Sequence, residues 1–467
     1  MAGLFNSLNS AVMALGAHSR AIETSGKNLA NVNNPAYARQ RVIYGDRGTV
    51  VTPSGAESLG MEALGVEQLR DSLLDRQVMR ENALATSFNA EQSGYQRAQA
   101  ALGQSIHRAS GTDSSQANGI AAAVDEYFNS FQSFAARPTD SGERQSLLQK
   151  AGILTDRIRL TDQRLAQVQS DLDSQIGNSV ADVNRLLTTI AELNGQIGRF
   201  EITTPGSAVD LRDQRQARCE ELASKLPVEV QDQAGGLVRI VAKDANGDEV
   251  VLVNLAAVTA AVEFDGSEIS AGSPRTTLAP QAGFIVGCLT ARDGAIATVR
   301  SDLNLLTRQL VGSVNQAYNP TGATGDFFAA SGLTAATLAL ATGLSVASLK
   351  ASDGGAAGDN SVALAVARLG TQSFSTANGD SIDGSFGGFF SQTVGKLGQA
   401  LAGANARVDD QANIEKLVRS QRDSLSGVSL DEEMADLMKY QRAFQASSRV
   451  FQSIDELLEV VVNRLGA

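Results

Sequence analysis

Tryptophan is absent from the 467 residues, and cysteine and histidine occur only twice each. A chain so poor in thiols and imidazoles has little with which to hold a transition metal or to build a nucleophile–base pair. Aromatic residues make up 5% of the chain, which argues against pockets walled by rings. No run of about 18 apolar residues occurs, so no segment reads as a membrane-spanning helix. A cationic surplus is missing too: 39 Lys and Arg stand against 51 Asp and Glu, a formal charge of −12. Without spare cations to displace phosphate counterions, nucleic acid is not an expected partner. The opening, MAGLFNSLNS, has no basic region, no apolar run and no A-x-A pattern, so a cleaved secretory signal is not expected. Taken alone this reads as cytoplasmic, although a protein exported without cleavage has the same appearance.

What is present describes a folded chain. Hydrophobic residues reach 43% and charged residues 19%, and the length allows about two to four domains with cores that need no staples. From Leu4 to Val32 a helix is expected, with Leu8, Leu15, Ile22 and Leu29 at intervals of seven and small residues such as Ala11 and Ser25 beside them. It ends in an asparagine-rich run closed by Pro35; Asn side chains cap free carbonyls and tolerate left-handed geometry, and proline cannot continue a helix. Gln40–Tyr44 and Thr49–Val51 read as short extended pieces with turns at Gly45 and Gly48.

Helix is expected from Val66 to Arg108, where Leu74, Phe88, Tyr95 and Leu102 share a heptad frame, and again over Ile120–Phe134, Glu143–Phe200 and Val209–Lys225. A break falls at Arg137–Asp140. At about 1.5 Å per residue the third of these spans roughly 80–90 Å, the length of a rod. The period changes at Leu226. Val228–Val230, Leu237–Val241, Val250–Val253 and Val262–Phe264 alternate like strands, with Asn246-Gly247 as a hairpin turn. Helix resumes over Phe284–Tyr318, and 319–390, rich in Gly, Ala, Ser and Asp, reads as loops with short elements. A further helix, Gln392–Leu425, carries Val394, Leu401 and Val408. The last segment has the strongest pattern: Leu430, Leu437, Phe444, Phe451, Leu458 and Leu465 recur every seven residues, with Tyr440, Ser447, Ile454 and Val461 three positions later. Both ends are therefore amphipathic helices with coiled-coil spacing, which need a partner to bury their apolar face. That partner is either the other end of the same chain or a neighbour. The fold class is mainly α: a long helical rod, paired terminal coiled-coil helices and a small β insertion.

Chemistry-bearing motifs dissolve on inspection. Asp244-x-Asn246-x-Asp248 opens like a calcium loop, but Glu249 replaces the required Gly and Leu255 the closing Glu, so a hairpin turn is expected. Gly395-Lys396 lacks the rest of a phosphate loop. Asp409-Asp410 stands on a helix, and Asp431-Glu432-Glu433 falls in a first helical turn, where carboxylates favour the dipole. His18 and His107 lie on helical stretches without partners, and Cys219 and Cys288 read as small buried hydrophobes. No catalytic, cofactor or metal residues are assigned. An enzyme or carbohydrate-binding module, carried in the β insertion or in 319–390, stays as the alternative.

The run NLANVNNPAYARQRV (28–42) after a heptad helix resembles the start of the axial proteins of the bacterial flagellum, and GVSLDEEMADLMKYQRAFQASSRVFQSIDELLEVVVNRL (427–465) resembles their C-terminal helix. The Tyr37-x-Arg39-Gln40 pattern, DLRDQRQARCEELASKL (210–226) and GDNSVALAVARL (358–369) are similar to the hook-associated protein 1 family within that superfamily. The match departs from it at Asn34, Ala36 and Ala38, where Thr, Gly and Ser are usual; if position 36 needed a positive φ, Ala would cost about 1 kcal/mol.

The resemblance implies an inner domain of residues 1–43 with 426–467, a rod-like domain of 44–225 with 285–425, and an outer β domain of 226–284. It implies an assembly interface of Leu8, Leu15, Ile22, Leu29, Leu437, Tyr440, Phe444, Phe451, Ile454, Leu458, Val461 and Leu465. Asn28, Asn31, Asn33, Pro35, Tyr37, Arg39 and Gln40 form the N-terminal motif. It further implies no cofactor and no membrane insertion, but export by the flagellar type III apparatus with an export chaperone, to the extracellular flagellum. The expected partners are further copies in a ring, hook protein on one side, and the next junction protein and filament on the other.

Overall fold

A computed structural model describes residues 2–34, 36–52, 55–103, 119–322, 325–354 and 358–464. Pro35, His107 and Leu465 lie outside them, as does the stretch 104–108 of the expected second helix. The fold is mainly α, with small sheets. Helix α1 (Ala2–Ala30) leads into an antiparallel ribbon in which β1 (Gln40–Asp46) pairs with β4 (Met61–Gln68), from Gln40↔Gln68 to Asp46↔Met61. Between them β2 (Thr49–Thr52) pairs with β3 (Gly55–Ser58).

The expected helical start at Val66 is therefore corrected. Val66 lies opposite Val42 in the ribbon, and α2 (Ser72–Leu102) begins only after Asp71. The Asp71 carboxylate accepts from the Leu73 and Leu74 amides at 2.8 and 3.3 Å, satisfying donors that a helix start leaves free. Next come α3 (Ile120–Ala136), α4 (Ser141–Phe200) and α5 (Val209–Lys225). The 60 residues of α4 run unbroken for about 90 Å.

Strands β5 (Glu229–Asp232), β6 (Val238–Lys243), β7 (Glu249–Asn254) and β8 (Ala257–Val258) form an antiparallel meander in chain order. A second small sheet takes β9 (Val262–Phe264), β10 (Ile269–Ala271) and β11 (Thr276–Thr277). Asp244, the supposed calcium position, spends its carboxylate on the Asn246 and Asp248 amides at 2.8 Å, which closes the β6–β7 hairpin.

The helix expected over 284–318 is two helices, α6 (Gly283–Ala291) and α7 (Ala297–Tyr318), separated by a π turn at Arg292–Ile296. Gly294, at φ −84° and ψ −113°, departs from helical geometry there. The chain closes with α8 (Ser361–Leu369), α9 (Phe386–Ser426) and α10 (Leu430–Arg464).

Two compact units are present. The first gathers Met1–Ala85, Val180–Gly283 and Gln411–Ala467. In it Val238, Ile240, Val241, Leu252 and Val253 of the meander are buried, as are Val183, Leu187, Ile190 and Ile197 of α4. The second gathers Thr86–Ser179 and Phe284–Asp410. Its core concentrates the scarce aromatics: Tyr127, Phe131 and Phe327 meet with centroids 5.2–5.8 Å apart, and Phe128 stacks on Phe386 at 5.5 Å. Cys219 in the first unit and Cys288 in the second are both buried and free, and burial pushes their thiols up to about 12 and about 11.

Candidate functional site

Within the first unit α1 packs along α10. The fully buried line on α1 is made of small residues, Ala11, Ala17, Ala21, Thr24 and Ser25, because short side chains let two helices approach closely. Leu8, Leu15, Ile22 and Leu29 are half-buried beside that line, and so are Leu437, Tyr440, Phe451, Ile454 and Leu458 on α10. Phe444 is 37% exposed. Val461 lies within α10. Larger apolar side chains remain exposed on the same two helices: Phe5 and Val12 on α1, and Met434, Met438, Val450 and Leu457 on α10. Where Ser447 interrupts the heptads, a groove of about 510 Å³ opens among Ser7, Ser10, Ala14, Ala446, Ser447 and Val450.

At the base of this pair the N-terminal motif is drawn into a polar knot. Asn28, 1% exposed, donates through Nδ2 to Gln40 O and accepts through Oδ1 from Gln40 N, each at 2.9 Å. Its carboxamide thus stands in for a neighbouring strand. Tyr37 donates to the same Oδ1 at 2.8 Å. Asn31 caps the end of α1, donating to Lys27 O at 2.9 Å, while Asn33 is exposed. Gln40 continues outward, its Nε2 donating to Asp210 of α5 at 3.0 Å.

Arg39 is the second strand of the knot. Its N–H donates to Ser426 O and its C=O accepts from Leu69 N, at 2.9 and 2.8 Å. Its guanidinium donates to Glu433 Oε1 and Glu432 Oε2 at 2.7 Å each, with Asp436 3.6 Å away. Glu433 is 2% exposed, so this bond is shielded from water and salt. Burial alone would lower the Arg39 pKa, but Glu433 and Glu432 outweigh it and hold the guanidinium firmly charged. The expected role of Glu432 and Glu433 as dipole partners is thus only part of their work.

Arg70 and Asp213 form the third strand. Arg70 donates to Ala36 O and Asp213 Oδ1 at 2.6 Å each and to Asp75 Oδ2 at 3.0 Å. Burial raises the Asp213 pKa against the pull of Arg70, and burial also drives the Tyr37 phenol up, followed by the charges of Asp213, Asp210 and Glu433. Among the described residues the only non-glycine positive φ belongs to Leu255. Ala36 therefore carries no left-handed strain, and its departure from glycine costs nothing there.

Sequence reasoning named Asn28, Tyr37, Arg39 and Gln40 but not what they hold. Asp210 and Asp213 stood in a stretch singled out only for its resemblance, and Arg70 was missed. A usable signal was the charge pattern of 210–218, alternating acid and arginine on a half-buried helix.

Two family models match the chain. One, described as the flagellar hook-associated protein FlgK helical domain, covers residues 109–328; the other, the flagellar basal body rod FlgEFG protein C-terminal, covers 419–465. Flagellar hook-associated protein 1 of Bacillus subtilis is 28% identical, the alignment spanning 100% of this chain and 99% of that protein. The Salmonella typhimurium protein of the same name is 24% identical over 98% of this chain and 99% of its own length. From end to end the chain is similar to the flagellar hook-associated protein 1 family. Among solved structures, the flagellar hook junction protein FlgK from Burkholderia pseudomallei superposes with a TM-score of 0.47 at 20% identity, over 54% of this chain and 46% of that one. Both terminal motifs of the family meet physically in this chain: Arg39 from the first grips Glu432 and Glu433 from the second.

Proposed function

We propose that this chain is a structural adaptor of the bacterial flagellum, joining hook to filament through its terminal helices. The observation that carries the reading is the end-to-end similarity to proteins named flagellar hook-associated protein 1. It is supported by a terminal pair that keeps Phe5, Val12, Met434, Met438, Val450 and Leu457 exposed, apolar surface of the kind an assembly covers. The twelve heptad residues named from the sequence are the proposed contact set. In this reading residues 1–43 and 426–467 form the inner layer of a tube, and 226–284 points outward. Further copies complete a ring, hook protein lies on one side, and the next junction protein and filament lie on the other. Export runs through the flagellar type III apparatus, with a chaperone and without cleavage.

The role is non-enzymatic. Two features support this: Phe327 and Phe328 of 319–390 are buried in an aromatic core, and the Asp244 carboxylate ties its own hairpin.

Leu458→Asp tests the reading. Leu458 is half-buried on α10, so in the single chain a carboxylate there can turn partly to water. In an assembly that covers the seam it would be stranded, at a cost of several kcal/mol. The expected outcome is secretion and thermal melting near wild type with filaments no longer attached, while Glu459→Lys on the exposed side stays functional. Attached filaments in the Leu458→Asp strain would remove the seam from the joint. A large fall in melting temperature would instead make the pair chiefly an internal bundle.

A further inference from the structure

The break between α9 and α10 is three residues, Gly427-Val428-Ser429, and Arg39 is bonded on both sides of it. On the near side the end of α9 is already fixed to the body of the first unit. Arg422, 5% exposed, donates to Glu220 of α5 at 2.9 Å. Gly427 N donates to Asp423 O at 2.8 Å, and a Cβ at 427 would lie 2.3 Å from that oxygen, so the chain can leave α9 in this way only through glycine. Arg39 N holds the last carbonyl before the break, Ser426 O. On the far side its guanidinium holds Glu432, Glu433 and, more loosely, Asp436, the inner edge of the first turns of α10.

Beyond those turns α10 packs on α1, which is itself tied at its end to Gln40 through Asn28. Two adjacent residues, Arg39 just before β1 and Gln40 at its start, therefore grip both terminal helices at the root. The lever is long: the 35 residues of α10 extend about 50 Å. A turn of about 10° at the root would displace the far end by about 9 Å, more than the tolerance of a packed helix interface.

We propose that Arg39 is a positioning residue that fixes the angle at which α10, with α1 beside it, leaves the end of α9. The guanidinium suits the task because its planar fork reaches two carboxylates at once, which a lysine ammonium on a flexible stem does not do with fixed direction. The consequence for the flagellum, that the terminal pair is offered to its neighbours in one direction, rests on the function proposed above. The lock itself does not.

The test is a distance measured in the full chain across the break. Ser420→Cys on α9 and Gln445→Cys on α10 are exposed sites for nitroxide labels, and the native thiols Cys219 and Cys288 are buried. Pulsed dipolar spectroscopy should give a single narrow distance with Arg39 present. Arg39→Gln should broaden or shift it, and Arg39→Lys should fall between. Because Arg39→Gln leaves Glu433 buried without its cation, the double variant Arg39→Gln with Glu433→Gln serves as the folded reference: melting should return towards wild type while the distance stays broad. A narrow, unshifted distance in that double variant would overturn the proposal. Filament attachment in the same strains separates the two claims: a broad distance with filaments still attached upholds the lock and removes its consequence for assembly.

Discussion

A carboxamide that is 1% exposed must find partners for both its ends, and Asn28 finds both on the backbone of Gln40. Replacing it with alanine strands that N–H and C=O and leaves the Tyr37 hydroxyl without its acceptor. Asn28→Ala should lower stability of the folded chain by about 2–4 kcal/mol, measured by denaturant unfolding of the purified protein. Asn28→Asp should be no milder, because a carboxylate can accept from Gln40 N but would face Gln40 O with charge. Equal midpoints for Asn28→Ala and wild type would mean that the clamp is dispensable. The sequence made Asn28 conspicuous, in a run whose asparagines promised capping of free carbonyls. Asn31 does that, on Lys27 O, whereas the partner of Asn28 is twelve residues away and only the fold supplies it.

The same device recurs between elements. Asn184 exchanges both bonds with Val262 at 2.8 Å, Asn194 with Val238, and Asn315 with Phe328 at 2.9 Å. In each case a helix holds an extended segment without offering it a strand, which lets short β pieces survive in a helical chain. Helix contacts use a different economy. A Cβ on Gly287 of α6 would lie 2.1 Å from Ser87 O of α2 and 2.8 Å from the Ala90 Cβ, and one on Gly94 would lie 2.5 Å from the Ala291 Cβ. Gly287→Ala should force the two helices apart and destabilise by about 1–3 kcal/mol or more, seen as a lower melting transition. Unchanged melting would show that α6 shifts without cost. Heptad reading named Phe88, Tyr95 and Leu102 on α2 and passed over this seam, because hydrophobic periodicity gives no weight to glycine, alanine and serine. It also extended α2 backwards over Val66, since alternation over a few residues is hard to tell from a helical face until the partner strand is known.

Across the whole molecule the long helices and the β meander were legible from their periods, whereas the pairing of the chain ends followed only from the family resemblance, because heptad spacing calls for a partner without saying which. The aromatic core was not. Phe327 and Phe328 sit in a Gly- and Ala-rich stretch that reads as loop, and only their burial against Tyr127 and Phe131 shows that irregular backbone can fill a core. These contrasts set an order of local stability. The terminal pair far from the knot rests on a half-buried seam of small and interrupted contacts, whereas the knot buries Asn28, Gln40, Asp213 and Glu433 at its centre and the aromatic core is buried almost throughout. Amide exchange in dilute monomer should therefore be fastest along the distal parts of α1 and α10. It should slow by orders of magnitude at Asn28–Gln40 and Ser426–Glu433, and be slowest in α3 and α7. Limited proteolysis should trim α1 and α10 towards the knot and halt before Asn28 on one helix and beyond Glu433 on the other. Cleavage that passes through Asn28 while α10 stays intact would mean that the knot does not hold α1, and uniform protection from Leu8 to Leu458 would mean that the pair needs no neighbour to complete it.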